Sequence, residues 1–309
     1  MKVCITGGAG FIGSNLVERM VKESYQVTVI DNLSTGNLDN LKEVIDKIKF
    51  VKESILNLNV LKREFEGCDY VIHLAAIPSV PRSIENPVKT NEVNISGTLN
   101  VLTAARDCKV KRVIYSASSS RYGDSKEVTK SESLRVNPLS PYALQKFTGE
   151  EYCRLFYELY SLETVSLIFF NVFGPKQDPN SPYSAVIPRF IKQISKNQRP
   201  TIYGDGTTSR DFTYVENNVN SILLACTAKD VAGESFNIAC GKSVSLMDLV
   251  NKINKILKKD TKPIFEDFRK GDIKDSLADI SKATARLNYK AEIDFDEGLR
   301  RTIDFSKDL

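Results

Sequence analysis

The chain has 309 residues, 41% of them hydrophobic and 27% charged, a composition that excludes a disordered polymer and a length that suits two lobes. Its 43 basic and 39 acidic residues leave a net charge of +4 with the basic residues scattered, so no nucleic-acid partner is demanded, and no apolar run approaches the roughly 20 residues of a membrane span. Six cysteines without a C-x-x-C pair and a single histidine speak against a disulfide framework and a metal site; with a start (Met1–Thr6) that runs straight into a glycine loop and leaves no room for a signal peptide, a cytoplasmic protein is expected.

In chain order, Lys2–Thr6 predicts a short apolar strand and Phe11–Lys22 a helix, with Phe11, Ile12, Leu16, Val17 and Met20 near 3.6-residue spacing. Gln26–Ile30 is the next strand and Ile48–Lys52 a weaker one. Tyr70–Leu74 and Arg112–Ser116 are buried strands on either side of a helix at Asn91–Asp107. A long helix over Tyr142–Tyr160 and a strand at Thr164–Phe170 complete a β-α-β series. That order predicts an α/β fold, a Rossmann-type doubly wound parallel sheet over residues 1–170. From Asn171 onward Gly174, Pro175, Pro179, Pro182 and Pro188 break the pattern. Short strands (Thr201–Tyr203, Phe212–Val215, Ser235–Ile238) mix with helices near Ala185–Lys196, Glu216–Ala228 and Leu246–Leu257. Residues 171–309 are therefore read as a smaller mixed α/β substrate lobe, with some chain returning to the first domain and a ligand between the two.

Gly7-Gly8-Ala9-Gly10-Phe11-Ile12-Gly13 follows the first strand and opens the first helix. Gly8, Gly10 and Gly13 satisfy G-x-G-x-x-G, a pattern that also occurs in plain turns. Here the strand before it, the helix after it and a second strand ending at Asp31 supply the context that a dinucleotide needs. The glycines let the backbone approach a pyrophosphate, and the helix N-terminus offers free N–H groups and partial positive charge. Asp31 can bind both ribose hydroxyls and would repel a 2′-phosphate, which favours NAD over NADP. No Gly-Lys-Ser/Thr follows the glycines, so this is no P-loop.

Tyr142 and Lys146 sit at i and i+4 on one helix face, just behind Pro141. A tyrosine with its usual pKa of about 10 is a poor base. An ammonium beside it, together with a bound nicotinamide cation, would pull that pKa down. The spacing alone also arises on helix surfaces. What singles this pair out is the cluster Ser116, Ser118, Ser119 and Ser120, which puts hydroxyls at the sheet's carboxyl edge.

Together these stretches resemble the extended short-chain dehydrogenase/reductase family and, within it, the UDP-hexose 4-epimerases, in particular the UDP-N-acetylglucosamine 4-epimerases. The resemblance spans nearly the whole chain. It is carried by Thr6-Gly7-Gly8-Ala9-Gly10-Phe11-Ile12-Gly13-Ser14, Asp31-Asn32-Leu33-Ser34-Thr35-Gly36 and His73-Leu74-Ala75-Ala76. Further along it rests on Ser118-Ser119-Ser120-Arg121-Tyr122-Gly123-Asp124, Ser140-Pro141-Tyr142-Ala143-Leu144-Gln145-Lys146 and Phe170-Asn171-Val172-Phe173-Gly174-Pro175. It implies NAD held by Gly7, Gly10, Phe11, Ile12, Gly13, Asp31, Asn32, Ser34, Thr35, Gly36, Ser54, Ile55, Leu74, Ala75, Ala76, Tyr142 and Lys146. It implies Tyr142 as the base for the 4′-hydroxyl proton, Lys146 as its electrostatic partner and nicotinamide-ribose ligand, and Ser118 as the hydrogen-bonding group on the reacting oxygen, with Ser119 and Ser120 close by. A hydride would leave C4′ for NAD and return to the other face of a 4-keto sugar, a redox-neutral exchange. A homodimer through a helix pair including Asn91–Asp107 and Tyr142–Tyr160 is implied as well.

By the same resemblance Asn171 is a diphosphate or sugar ligand, Ala185 and Val186 belong to a segment whose backbone meets uracil, and Tyr203 stacks on that base. Arg210 and Arg269 match diphosphate-binding arginines, as two delocalised cations can fork onto pyrophosphate oxygens; taken singly they would read as surface ion pairs, and Tyr203 as a core aromatic. Ser276 falls where some UDP-galactose epimerases carry a bulky tyrosine beside the sugar 2′-substituent, and a serine leaves room for an N-acetyl group. Val80-Pro81-Arg82-Ser83-Ile84 and the serine triplet also resemble the N-acetylhexosamine-preferring subgroup. The expected reaction is therefore interconversion of UDP-N-acetylglucosamine and UDP-N-acetylgalactosamine, with UDP-glucose/UDP-galactose activity alongside.

The chain departs from the family at Glu53-Ser54-Ile55, which replaces the commoner Gly-Asp-Ile, and at Ile168-Phe169, which replaces Arg-Tyr. His73 reads as a packed, hydrogen-bonded residue rather than a catalyst, and Cys4 and Cys240 as buried small apolar groups. The enzymatic alternatives on this fold, nucleotide-sugar 4,6-dehydratases and UDP-glucuronate decarboxylases, need a carboxylate where this chain has Ser120-Arg121. A non-catalytic NAD-sensing regulator would often lack the tyrosine–lysine pair that is kept here.

Overall fold

Val3, Cys4 and Ile5 alternate between the two faces of β1 (Lys2–Thr6), and all three are buried. That is the signature of a strand covered by helices on both sides. The structure is a computed structural model that describes residues 1–179, 185–268 and 275–307. β1 leads through α1 (Phe11–Lys22) to β2 (Gln26–Ile30), β3 (Lys49–Val51), α2 (Leu58–Phe65) and β4 (Tyr70–His73). Two short helices, α3 (Val80–Glu85) and α4 (Pro87–Asn91), then a π-helical turn at Glu92–Ser96 and α5 (Gly97–Asp107), connect to β5 (Arg112–Ser118). The two-residue β6 (Thr129–Lys130), α6 (Pro141–Tyr160), β7 (Glu163–Phe169) and β8 (Val172–Phe173) follow. Beyond them come α7 (Val186–Ser195), β9 (Thr201–Tyr203), β10 (Ser209–Arg210), β11 (Thr213–Tyr214), α8 (Val215–Thr227), β12 (Glu234–Ile238) and β13 (Val244–Ser245). The chain continues through α9 (Leu246–Leu257), β14 (Ile264–Glu266), β15 (Asp275–Ala278), α10 (Ser281–Leu287) and α11 (Phe295–Lys307).

Seven strands form one sheet in the order β12-β7-β5-β4-β1-β2-β3, every pair parallel. Strand order reverses between β1 and β4, so the loops at their carboxyl ends part and open a crevice there. Leu16, Val17 and Met20 of α1 and Val219, Ile222 and Ala225 of α8 pack on one face of this sheet. Leu61 and Phe65 of α2, Val101 and Leu102 of α5, and Cys153 and Phe156 of α6 pack on the other. Thus α8 and β12, which come after residue 171, return to the dinucleotide sheet. A second sheet runs β13-β10-β15-β6, with Arg210 beside Ser276 and Ala278 beside Lys130 in register. A separate core of Phe190 and Ile194 (α7), Leu249 and Ile253 (α9) and Leu299 and Ile303 (α11) supports the second lobe. Among the described residues no helix is long and apolar enough to cross a membrane.

Two expectations are modified. The helix expected over Asn91–Asp107 contains the π turn, because Asn94 faces inward: its Oδ1 accepts from Ile77 N–H at 2.8 Å and its Nδ2 donates to Gln145 Oε1 at 2.9 Å. The strand expected over Phe212–Val215 is shared between β11 and the first turn of α8.

Candidate active site

The turn after β1 is built on glycine. Gly7 has φ +76°, and a Cβ there would lie 2.6 Å from Ala75 N; at Gly13 a Cβ would lie 2.2 Å from Gly7 O. The tight turn delivers the start of α1, N-capped by Gly10 without a side-chain hydrogen bond and without an acidic residue in its first turn. Its first N–H groups are thus left for an anion. The crevice is lined by Gly7, Gly10, Phe11, Ile12 and Gly13, by Asp31, Asn32, Ser34 and Thr35, by Ser54 and Ile55, by Leu74, Ala75 and Ala76, and at its inner end by Tyr142 and Lys146. Gly36 is set back from the lining: a Cβ there would come 3.1 Å from both Asp31 carboxylate oxygens, so a bare backbone is what fits against that carboxylate. Glu53 and Ser116, noted in the sequence within the Glu53-Ser54-Ile55 departure and the serine cluster, also line the crevice, as do Ile30, Pro78 and Val93, whose apolar side chains carry no motif that would have singled them out.

Asp31 accepts from Ala9 N–H at 3.0 Å and Leu33 N–H at 2.8 Å. Burial pushes its pKa up and these two bonds pull it back. At the departure Glu53-Ser54-Ile55, Ser54 N–H donates to Glu53 Oε1 at 2.8 Å and Ser54 Oγ accepts from Leu56 N–H at 3.2 Å, so both side chains close on their own loop. A bare helix N-terminus, glycines where a Cβ would clash with backbone, and a fixed carboxylate at the end of β2 together fit NAD.

Ser140 caps α6 by accepting from Ala143 N–H at 3.2 Å, and Pro141 occupies the first turn. Tyr142 N–H donates to Ser83 Oγ at 3.0 Å, a support from α3 that depends on tertiary contact and leaves no local signal. Ser118, the last residue of β5, stands near enough to the Tyr142 hydroxyl to pull its pKa down. Its Oγ also lies 2.9 Å from Ser120 Oγ and accepts from Ser120 N–H at 3.3 Å. Burial raises the pKa of Tyr142, and Ser118 opposes that rise. The lowering expected from the sequence counts the positive nicotinamide of bound NAD together with Lys146, whereas the shift here is that of the protein's own groups alone. Lys146 lays its ammonium over the Tyr115 ring, and its own pKa is lowered to about 8 by desolvation. α6 approaches β5 this closely because residue 149 is glycine: a Cβ would meet the Tyr115 hydroxyl at 2.3 Å. That hydroxyl donates to Lys146 O at 3.2 Å.

His73 is buried between Thr6 Oγ1 at 2.8 Å and Thr98 Oγ1 at 2.9 Å, and desolvation lowers its pKa to about 3, so it is a neutral packing residue. Cys4 is fully buried; Cys240 is partly exposed, unlike its sequence reading.

One hollow opens beside Ser118, and a second adjoins it in the second lobe. One is lined by Ser118, Ser119, Ser120, Asn171, Arg210 and Ser276, joined by Tyr122, Lys130, Phe169 and Asp275. The other is lined by Asn171, Ala185, Val186, Tyr203 and Arg210, joined by Phe173, Arg189, Phe190 and Phe212. Asn171 and Arg210 line both. Asn171 has φ 35°, a left-handed conformation that asparagine tolerates, and its Nδ2 donates to Asp211 O at 3.0 Å. Arg269 lies outside the described residues. Asp211, given no role in the sequence reading, is fully buried and accepts from the N–H groups of Cys240 and Gly241 at 3.0 Å each and of Ala278 at 3.2 Å. Burial pushes its carboxyl up to about 6. Arg121 turns away from the hollow and pairs with Glu150.

Residues 3–239 match the NAD dependent epimerase/dehydratase family. The chain is 36% identical over 307 residues to a putative UDP-glucose 4-epimerase of Methanocaldococcus jannaschii, covering 99% of this chain and 98% of that one. It is 32% identical over 316 residues to a UDP-N-acetyl-alpha-D-glucosaminuronate decarboxylase of Bacillus cytotoxicus, covering 99% and 97%. Among solved structures, a UDP-N-acetylglucosamine 4-epimerase from Methanobrevibacter ruminantium M1, in complex with UDP-N-acetylmuramic acid, is similar with a TM-score of 0.95 at 40% identity, covering 99% of this chain and 98% of that one. Matched over most of its length, and with a crevice already shaped for a dinucleotide, the chain belongs to the NAD dependent epimerase/dehydratase family, within the extended short-chain dehydrogenases/reductases, and its cofactor is NAD.

Proposed function

We propose that the chain is a UDP-sugar 4-epimerase that interconverts UDP-N-acetylglucosamine and UDP-N-acetylgalactosamine, with UDP-glucose and UDP-galactose as secondary substrates. The observation that carries this reading is the position of Ser276. It lines the hollow that holds the serine loop and stands beside Arg210 across paired strands. Its small side chain leaves space for a 2′-N-acetyl group, and space admits the smaller sugar too.

The chemistry follows from three side chains. Ser118 orients the sugar's C4′ oxygen against Tyr142, Tyr142 accepts its proton and later returns it, and the Lys146 ammonium, together with the positive charge of NAD when bound, would favour the phenolate. NAD, when bound, supplies reversible hydride acceptance at C4′. Between the two half-reactions the 4-keto sugar turns over, and Ser119, Ser120 and Ser276 keep the walls of the hollow small. Tyr203, Val186 and Arg210 hold the UDP end. Loss of water or of a carboxylate is the weaker reading. Arg121 stands where an acid would be needed and faces Glu150, and the Asp275 carboxylate in the hollow accepts from Ser209 Oγ at 2.6 Å.

A homodimer belongs to the same proposal. Leu144 and Leu159 of α6, and Ile84 and Val88 of α3 and α4, expose apolar side chains at 52%, 67%, 62% and 80%. Light scattering on the purified protein checks the stoichiometry.

The deciding experiment incubates the purified protein with UDP-N-acetylglucosamine and UDP-glucose separately and resolves the epimers. Tyr142→Phe is expected to abolish both conversions while NAD stays bound; wild-type rates in that variant would overturn the assignment of the base. An NAD-loaded wild type that turns over no UDP-sugar would favour the regulator.

A further inference from the structure

The side chain one helical turn beyond Lys146 has no part in the chemistry above, yet it is charged and buried. Glu150 continues the stripe of Tyr142 and Lys146 along α6 at i+8. Its Oε1 accepts from Arg121 Nη1, and the two side chains are only 5% and 7% exposed. The guanidinium is flanked by Phe147 and Tyr122, 5.1 and 5.3 Å from the ring centroids. Arg121 belongs to the single 3-10 turn Ser119–Tyr122, whose N-cap is Ser118.

We infer that the Arg121–Glu150 pair is a positioning device for the reaction: it fastens the serine loop to the catalytic helix and thereby fixes Ser118 against Tyr142. This rests on the epimerase reading of the site. The same two elements meet at two places, where Ser118 faces Tyr142 and where Arg121 pairs with Glu150, about 12 Å apart along the helix by its rise per residue. The far side of the turn is also held. Tyr122 hydroxyl donates to Asn237 Oδ1 at 2.7 Å, and Arg121 O accepts from Asn137 N–H at 2.9 Å. With both ends tied, the ion pair is what sets how the loop sits on α6.

Stability alone does not explain such a pair. Desolvating two charges costs about as much as their attraction returns, and apolar side chains of similar volume hold a helix and a loop as firmly. Arg121 Nε is, moreover, without a hydrogen-bond partner among the described residues. What the charged contact adds is direction: Arg121 reaches Glu150 through Nη1 alone, Glu150 Oε2 has no hydrogen-bond partner among the described residues either, and a loop that shifted would leave two buried charges unpaired.

The test uses the NAD-bound enzyme and its better UDP-sugar, with Arg121→Met/Glu150→Met as the principal variant and Glu150→Gln as the second. The double variant is expected to melt near the wild type. Its kcat should fall roughly ten- to a hundred-fold, the cost of a misplaced reacting group. KM should change little, because Tyr203 and Arg210 are untouched. The rising limb of its pH–rate profile should move to higher pH, since Tyr142 loses the Ser118 neighbour that opposes its raised pKa. Wild-type kcat and pH profile in a folded double variant would overturn the inference, and so would a loss of rate that disappears wherever the fold is restored by cooling. If the double variant does not fold, Glu150→Gln should show the same shift, and an unshifted profile counts against the pair. A crystal structure of either variant gives a reading independent of turnover: Ser118 Oγ displaced from Tyr142 relative to the wild-type structure supports the inference, and an unchanged position overturns it. A wild type without epimerase activity would sink the functional reading, while the structural comparison still decides the role of the pair.

Discussion

The ammonium of Lys146 lies 4.5 Å from the centroid of the Tyr115 ring. A buried cation is thus held by an aromatic face and not by a carboxylate, an arrangement that stabilises the charge only modestly. Desolvation consequently wins and brings the lysine down to about 8. Because the charged form is lost above that value, kcat should fall as pH rises through about 8. Lys146→Arg, whose charge persists, should be slower throughout but lack that alkaline limb. Stability moves the other way: the folded state binds this proton less tightly than the unfolded chain, so stability should rise from about pH 8 toward the ordinary lysine value of 10.5. A wild-type pH–rate profile that stays flat through pH 9 would remove Lys146 from the mechanism.

The turn at Gly13 leaves no room for a methyl group. A Cβ would sit 2.2 Å from Gly7 O and 2.7 Å from Gly8 Cα, both backbone atoms that cannot swing aside. Gly13→Ala should displace the start of α1 at a cost of about 1–3 kcal/mol. NAD retention would weaken by about ten-fold or more as the N–H groups move off the pyrophosphate. The bound NAD released on denaturing the purified variant measures this, and full retention would show that the helix can adjust.

Asp211 makes a prediction about acid pH. Its folded pKa, about 6, stands above the ordinary 3.8. The folded state therefore holds the proton more tightly, and this group's contribution to stability decreases as pH rises from about 4 to 6, by up to about 3 kcal/mol. Asp211→Asn should abolish that slope. It should also lower stability near neutral pH by about 1–3 kcal/mol, since an amide NH2 would face backbone donors. Urea unfolding of both proteins at pH 4.5 and 6.5 checks it; a slope that survives in the variant belongs to another group.

Ser276→Tyr should narrow the sugar hollow. N-acetylated UDP-sugars are expected to lose about ten- to 200-fold in kcat/KM, the range that a pocket wall of this kind commands. UDP-glucose should be little affected. Equal losses on both substrates, in parallel assays, would defeat the gate.

Legibility in the sequence followed physical cause. The bounds of β1, α1 and β2 agree with their apolar patterns because each element is buried along its own period. Helix α2 escaped because it is eight residues long and rich in polar side chains, and α3 and α4 because prolines in their first turns read as breaks. At the candidate site, the glycine turn, Asp31 and the Tyr142–Lys146 spacing carry local patterns. Ser83, Lys130, Asp211 and Glu150 do not, since each acquires its place through a contact with a distant segment. The spacing of Tyr142 and Lys146 brings the lysine near, but only the packed structure shows that its ammonium lies over Tyr115 and that burial raises the tyrosine's pKa.

Strand β6 is two residues long, comes from the first half of the chain, and closes the edge of the sheet that carries Arg210 and Ser276. Strand β12 makes the opposite journey and completes the dinucleotide sheet beside β7. The two lobes are therefore laced through each other like a boot. Recombination between relatives at the midpoint, near residue 171, would sever partners on both sides: β15 would meet a foreign β6, and β7 a foreign β12. Swapping whole C-terminal halves is a poor route to new sugar specificity on this scaffold. Inherited or engineered changes of substrate are better made by exchanging single residues in the wall of the hollow, where neither lace is cut.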